Sequence, residues 1–255
     1  MAEAVFEGVG VALATVFADD GAVDVDATVA HARRMLDVGV RAVVVAGSTG
    51  EAPALDTDER ADLIRAVLDA VGGDIPVIAG TGAASARQAM VLTEQAATAG
   101  ASAVLVLTPP RAGDPTVYYQ RVAEAAGDMP VLGYHFPAMS PPGIPLEVLA
   151  DLPIAGMKDS TGDAERLLRA LAVFDRPLYV GSSALLVQAG ALGCAGAILS
   201  AANLEPELCV AAFDGDAEAQ RSLVDAHVAV ARDFPHGLKQ AMAERWGTSP
   251  ATRMG

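Results

Sequence analysis

The segment DVGVRAVVVAG, residues 37–47, combines the end of a helix, a glycine and a short run of small and β-branched apolar residues. The same arrangement returns as TAGASAVLVLT at residues 98–108 and as ALGCAGAILSA at residues 191–201. A glycine at this place is typical of the position just after a helix, where the backbone turns left-handed. The repeat therefore predicts a helix followed closely by a strand, several times along the chain.

Short apolar runs of this kind alternate with longer stretches of helical periodicity, as expected for βα units around a parallel sheet. The runs lie at residues 9–16, 42–46, 76–79, 103–107, 130–134, 154–157, 178–180 and 195–199. Nearly continuous apolar strands are buried on both faces, which a parallel sheet covered by helices requires. Eight units predict an α/β fold, a closed (β/α)8 TIM barrel.

An open, doubly wound sheet is the structural alternative, but its glycine-rich phosphate turn normally follows the first strand, where this chain reads ATVF at residues 14–17. The sequence after the eighth run predicts helices at residues 205–214, 217–232 and 237–246. We therefore expect one barrel over residues 1–204. The last barrel helix and a short C-terminal helical appendage are expected over residues 205–255.

Composition limits the classes of partner. The formal net charge of −15, from 32 acidic and 17 basic residues, disfavours nucleic acid and anionic membrane surfaces. Residues 1–10 lack the basic flank and apolar run of a signal peptide, and no apolar stretch reaches membrane-spanning length. Cys194 and Cys209 lack CxxC spacing, which favours a reduced, cytoplasmic location over a disulfide framework or zinc site.

Lys158 is the first candidate for chemistry. The chain has only two lysines, and this one ends the sixth apolar run, where barrel enzymes place catalytic groups. An amine can lose its proton and attack a ketone carbon to form an imine, whereas a guanidinium stays protonated. The structural alternative is an ion pair with the adjacent Asp159. Lys239 lies in a terminal helix, where we expect a solvated charge and assign no role.

Two further groups are expected at the same strand-end face. The loop at residues 47–51, GSTGE, offers two hydroxyls and backbone N–H groups that suit a carboxylate, or else forms an ordinary capped turn. Tyr134 ends the fifth run, so its phenol can relay protons beside Lys158, or simply pack there. Strand alternation points His135 the opposite way.

The remaining polar candidates favour structural roles. The segment at residues 181–183, GSS, suits a helix cap better than a phosphate site. The four histidines lack ligand spacing, and His31 and His227 are expected on solvated helix faces. We therefore expect no metal and no cofactor.

Together these motifs resemble the dihydrodipicolinate synthase and N-acetylneuraminate lyase family of lysine-dependent barrel enzymes. Residues 47–51 are similar to its GTTGE loop, residues 134–137 to its YNxP segment, residues 156–159 to its GxK[ED] segment and residues 196–203 to its GxIS-type strand. The resemblance covers nearly the whole chain.

The resemblance implies roles for individual residues. Lys158 would form the imine with pyruvate or another 2-keto acid, while Tyr134 and Ser48 would move protons. Thr49 and Gly50, with nearby backbone, would hold the keto-acid carboxylate, and Ile198 would line the pocket. The partners implied are a 2-keto acid, an aldehyde and further copies of the chain, as a tetramer or a dimer.

Two positions depart from the family pattern. Arg111 stands where the synthase has a tyrosine that serves a neighbouring subunit, and Tyr118 and Tyr119 fall inside the next helix. Met139 stands where the synthase has an arginine for the carboxylate of its aldehyde substrate. The resemblance implies a class I aldolase, and these two departures imply that its aldehyde partner is non-standard and less charged.

Three alternatives stay open at this point. The first is 4-hydroxy-tetrahydrodipicolinate synthase itself, which condenses pyruvate with aspartate semialdehyde. The second is a non-catalytic relative that binds a keto acid. The third is a pyridoxal-phosphate barrel enzyme, which also uses a lysine imine but needs a phosphate cradle.

Overall fold

The computed structural model describes residues 3–254 and confirms the barrel. The strands are β1 (Gly8–Ala12), β2 (Ala42–Val45), β3 (Val77–Gly80), β4 (Ala103–Leu107), β5 (Val131–His135), β6 (Gly156–Asp159), β7 (Leu178–Val180) and β8 (Gly196–Leu199). Each pairs in parallel with the next, and β8 closes the barrel against β1. The carboxyl ends of all eight strands therefore share one rim.

The strand predicted at residues 9–16 is shorter in the structure. Beyond Leu13, side chains replace strand neighbours as partners: Ala14 N–H donates to Asn203 Oδ1 (3.1 Å) and Val16 N–H donates to Thr28 Oγ1 (2.9 Å). Hydropathy does not distinguish this buried connection from a strand, because both are apolar.

Helices separate the strands along the chain. They are α1 (Val25–Asp37), α2 (Thr57–Val71), α3 (Ala86–Ala99), α4 (Thr116–Ala126), α5 (Leu146–Leu149), α6 (Ala164–Val173), α7 (Leu186–Ala191), α8 (Pro206–Phe213), α9 (Ala217–Ser222), α10 (Val224–Ala231) and α11 (His236–Trp246). Short 3-10 helices lie at Ala52–Ala54, Ser183–Leu185 and Ala201–Asn203.

Local chemistry explains several helix ends. The glycines of the three repeated segments, Gly39, Gly100 and Gly193, have φ of 89°, 92° and 77°, the left-handed conformation that the repeat predicts. At the start of α2, Asp56 and Glu59 form a reciprocal capping box. The glycines end their helices just before a strand, and the capping box starts α2 soon after β2.

The helix predicted at residues 217–232 is wrong as a single element. The structure breaks it at Leu223 into α9 and α10, and the Leu223 side chain is buried in the core. The turn lets α10 change direction and pack near the 3-10 helices at the barrel rim. The division at residues 204/205 stays a prediction, and residues 1, 2 and 255 of those ranges lie outside the described residues.

The core has two layers, as alternation along a barrel strand requires. Outward-facing residues pack against the helices, while inward-facing ones fill the barrel with side chains such as Val44, Ile78, Leu132 and Tyr179. Within residues 3–254, no helix is long and apolar enough to cross a membrane.

Candidate active site at the barrel mouth

Lys158 and Tyr134 lie side by side at the barrel mouth. They are register partners on β6 and β5, and their positions point inward by strand alternation. Lys158 is 4% exposed, and its Nζ lies 4.3 Å from the centre of the Tyr134 ring. The structure thus brings together an amine and a phenol in a largely dry site.

The alternative of an ion pair between Lys158 and Asp159 is wrong. Asp159 points outward, where its Oδ2 accepts from Arg166 Nε at 2.7 Å and its Oδ1 accepts from the Thr161 N–H and hydroxyl. Because the neighbouring carboxylate is engaged elsewhere, it does not hold the Lys158 amine as a salt bridge.

Gly181 makes room for the lysine. A Cβ at this position would lie 2.9 Å from Lys158 Cε and 1.8 Å from Ser160 Oγ. Ser160 Oγ in turn lies 3.4 Å from the Tyr134 hydroxyl. The cap predicted at residues 181–183 is confirmed, since Ser182 Oγ accepts from Ala184 N–H. Sequence reasoning missed Ser160 and missed the space that Gly181 leaves for Lys158.

The loop at residues 47–51 folds as a tight turn against the same mouth. Gly47 and Ser48 carbonyls accept from the N–H groups of Gly50, Glu51 and Ala52, at 3.1 to 3.2 Å. Within residues 3–254, the N–H groups of Ser48 and Thr49 donate to no protein acceptor. Free, neighbouring N–H groups of this kind suit an anion such as a carboxylate.

Side chains of the loop differ in their surroundings. Thr49 Oγ1 lies 2.6 Å from Ser200 Oγ, just after β8, and Ser48 is half-buried on the wall of the cleft. Gly50 is not free to donate, and a Cβ there would lie 3.0 Å from Thr15 Oγ1. Ile198 is fully buried inside the barrel. Gly50 thus contributes space rather than a donor.

A cleft of about 780 Å³ extends outward from this mouth. Ser48 and Tyr134 line the cleft, whereas Lys158 is not among its lining residues. Arg60 and Arg87 also reach it; Arg60 is buried and donates to the backbone carbonyls of Gly80 and Ala52. The apolar wall is lined by Val91, Leu105, Leu107, Pro109, Pro110 and Met139.

The Dihydrodipicolinate synthetase family matches residues 5–245. This chain belongs to that family. As a member, it is a carbon–carbon lyase on a TIM barrel.

Relatives within the family carry different names. The chain is 38% identical over 241 residues to an uncharacterized DapA-like lyase of Halobacterium salinarum, covering 91% of this chain and 79% of the relative. It is 37% identical over 234 residues to 4-hydroxy-tetrahydrodipicolinate synthase of Thiobacillus denitrificans, covering 85% and 77%. The crystal structure of YagE, a family protein from E. coli K12 in complex with pyruvate, matches with a TM-score of 0.89 and 26% identity, covering 98% of this chain and 92% of that one.

The two departures from the family pattern occupy different places. Met139 lines the cleft, whereas Arg111 is exposed, has a φ of 66° and donates its N–H to Pro141 O at 2.7 Å. Tyr119 hydrogen-bonds Val106 O and Thr108 Oγ1, both at 2.9 Å, and burial raises its pKa. Burial also raises the pKa of Tyr118 to about 12. Both tyrosines lie inside α4, where the sequence predicts a helix, and both are buried.

The prediction of a solvated Lys239 is wrong. Its side chain is fully buried, and Nζ lies 3.3 Å from Oε1 of Glu51, the last residue of the loop. Nζ also contacts the carbonyls of Thr15 and Ala251. A lysine on a short terminal helix gives no sign in the sequence of a partner so far away along the chain.

The solvated face predicted for His31 is also wrong. Its ring is fully buried, and Nε2 lies 3.1 Å from Asn203 Oδ1. Burial lowers the pKa of His31 to about 4. Asn203 also donates to Ala12 O at 2.7 Å, so this cluster ties α1 to the ends of β1 and β8. In the part of the chain that the structure describes, no three His, Cys, Asp or Glu side chains form a metal site.

Proposed function

We propose that the chain is a class I aldolase that uses Lys158 as a Schiff-base lysine on a 2-keto acid. The observation that carries this proposal is the buried Lys158 amine beside the Tyr134 ring, in space left by Gly181. The neutral amine attacks the C2 carbonyl, and loss of water gives the imine. Loss of a C3 proton or cleavage of the C3–C4 bond then gives an enamine.

Hydroxyl groups near the Lys158 amine carry out the proton transfers. The Tyr134 hydroxyl donates to the leaving hydroxyl of the carbinolamine and later takes a proton from the substrate. Ser160 and Ser48 supply further hydroxyls at the same mouth. Free N–H groups of Ser48 and Thr49 hold the keto-acid carboxylate.

The aldehyde partner is proposed to be apolar near its reacting end. Met139, Leu107 and the two prolines 109 and 110 provide the wall on which such a chain packs. The second candidate is 4-hydroxy-tetrahydrodipicolinate synthase activity, which Arg87 in the same cleft and the relatives of that name favour. Comparing turnover of pyruvate with aspartate semialdehyde and with an uncharged aliphatic aldehyde distinguishes the two.

We also propose a cellular location and an oligomeric state for the enzyme. The two thiols, Cys194 and Cys209, are unpaired and buried, with pKa values raised by burial, which supports a reduced cytoplasmic location. The exposed apolar side chains of Val224 and Val228 on α10 support assembly as a homo-oligomer, a dimer or a tetramer.

Borohydride reduction in the presence of pyruvate tests the proposal. The chain has only Lys158 and Lys239, so peptide mass mapping assigns an adduct without ambiguity. We expect the pyruvate adduct on Lys158 and none on the buried Lys239, and no adduct in Lys158→Arg. An unmodified Lys158 in the folded wild-type protein would show that the chain does not form this imine, and would leave a non-catalytic keto-acid binder as the function.

A further inference from the structure

Glu51 closes the carboxylate-binding loop in an uncommon conformation. Its φ is 55° and its ψ is 41°, the left-handed region that residues other than glycine rarely adopt. Its carboxylate is fully buried. A buried charge on a left-handed backbone needs strong partners, and all of them lie far away along the chain.

Three groups from the C-terminal part of the chain hold this carboxylate. Lys239 Nζ on α11 lies 3.3 Å from Oε1, and the N–H groups of Arg253 and Met254 both donate to Oε2 at 2.8 Å. Burial lowers the pKa of Lys239, and the Glu51 carboxylate opposes that shift. Residues 249–254, here named the C-terminal strap, thus end directly on the loop.

Arg253 fixes the strap on its other side. Its guanidinium makes a two-pronged pair with Glu59, both contacts at 2.6 Å, and donates to Ala54 O at 3.0 Å and Gly21 O at 2.6 Å. It also stacks 4.7 Å from the Phe17 ring centre. The strap therefore joins the residues on both sides of the loop into one unit.

The strap affects the carboxylate site through the direction of the loop's backbone N–H groups. The N–H groups of residues 50–52 donate to carbonyls inside the turn. Those of Ser48 and Thr49 donate to no protein acceptor within residues 3–254 and are free to bind a ligand. Their aim depends on how the end of the turn is anchored, because a turn held at one end only can rotate. The anchor at that end is the buried Glu51 carboxylate.

We propose that the Glu51–Lys239 pair and the C-terminal strap position the Ser48 and Thr49 N–H groups for the carboxylate of the 2-keto acid. Glu51, Lys239 and Arg253 are positioning residues, since none of them touches the reacting carbonyl. This inference rests on the proposed function. It adds that recognition of the carboxylate, rather than imine chemistry, depends on the strap.

The test compares two ketones that differ in charge. Pyruvate carries the carboxylate, whereas methyl pyruvate has the same ketone without the charge. The measurement is the concentration of each ketone that gives half-maximal borohydride-trapped adduct on Lys158, together with the trapping rate at saturation.

Two variants perturb the strap. The double variant Glu51→Gln with Lys239→Met removes both buried charges together, which avoids leaving one uncompensated. Arg253→Ala removes the clamp but keeps the backbone N–H. Its side chain is 22% exposed, so we expect this variant to fold even where the buried double variant does not. Arg65→Ala, which removes an exposed arginine from a surface pair with Asp62, is the matched control.

We expect both strap variants to raise the half-saturating pyruvate concentration about tenfold, as expected when charge-assisted hydrogen bonds are misaligned. For methyl pyruvate we expect a change within about twofold, and Arg65→Ala should match the wild type for both ketones. Equal changes for the two ketones, or none, would overturn the positioning role while leaving the imine intact. A wild-type protein that traps neither ketone would instead overturn the proposed function.

Discussion

Replacing Gly181 by alanine tests whether the structure places the Lys158 side chain correctly. The added methyl group would lie 1.8 Å from Ser160 Oγ and 2.9 Å from Lys158 Cε, well inside the ~3.5 Å of a favourable contact. Ser160 and Lys158 must both move. The backbone needs no left-handed conformation here, so the effect comes from crowding alone.

The magnitude follows from two consequences of that crowding. Overpacking of a filled interior costs about 1–3 kcal/mol in the free energy of unfolding. Displacing the amine by about 1 Å from its place beside the phenol slows imine formation by about a hundredfold. We expect the loss in rate to exceed what the loss of stability explains, because the folded fraction stays near one.

The assay is the rate of borohydride trapping of pyruvate on Lys158, with urea unfolding measured on the same samples. Gly73→Ala is the matched control, since its added methyl meets no atom within 4 Å, and it should trap at the wild-type rate and unfold within about 0.5 kcal/mol of the wild type. If Gly181→Ala also traps at the wild-type rate, the placement of Lys158 against Gly181 is wrong.

Three further perturbations have defined outcomes. Tyr134→Phe should lower kcat by about 10²- to 10⁴-fold while pyruvate is still bound, and a steady-state assay showing kcat within about twofold of wild type would remove the phenol from the proton path. Thr49→Val, which deletes the hydroxyl 2.6 Å from Ser200 Oγ, should raise the KM for pyruvate about five- to tenfold, whereas the same change at the exposed Thr98 should leave it unaltered. Burial lowers the pKa of His31 from 6.5 to about 4, so the unfolded chain gains a proton first and stability is lost as the pH falls through that window. His31→Gln should therefore reduce the slope of the unfolding free energy against pH, between about pH 6.5 and 4, by the contribution of about one bound proton. An unchanged slope, measured by urea unfolding at several pH values, would contradict the buried neutral ring.

The sequence determined the architecture because the relevant signals are local. A helix end, a glycine and an apolar strand lie within eleven residues of one another in each repeated segment, and Gly39, Gly100 and Gly193 adopt the left-handed conformation that this order requires. Lys158 stood out for an equally local reason. It is one of two lysines, and it follows directly from an apolar run whose carboxyl end must face the barrel mouth.

The details of the site were decided by contacts between distant parts of the chain. The Lys239 amine reaches the Thr15 carbonyl across 224 positions, and Arg253 reaches Glu51 across 202. A helix with one lysine has the same local pattern whether that lysine is solvated or buried, so sequence favoured the commoner outcome. Burial depends on which surfaces the closed barrel brings together. The same reason hid His31, whose partner Asn203 lies 172 positions away along the chain. It also hid the role of Gly181, because its contact with Ser160 exists only when β6 and β7 pair in the barrel.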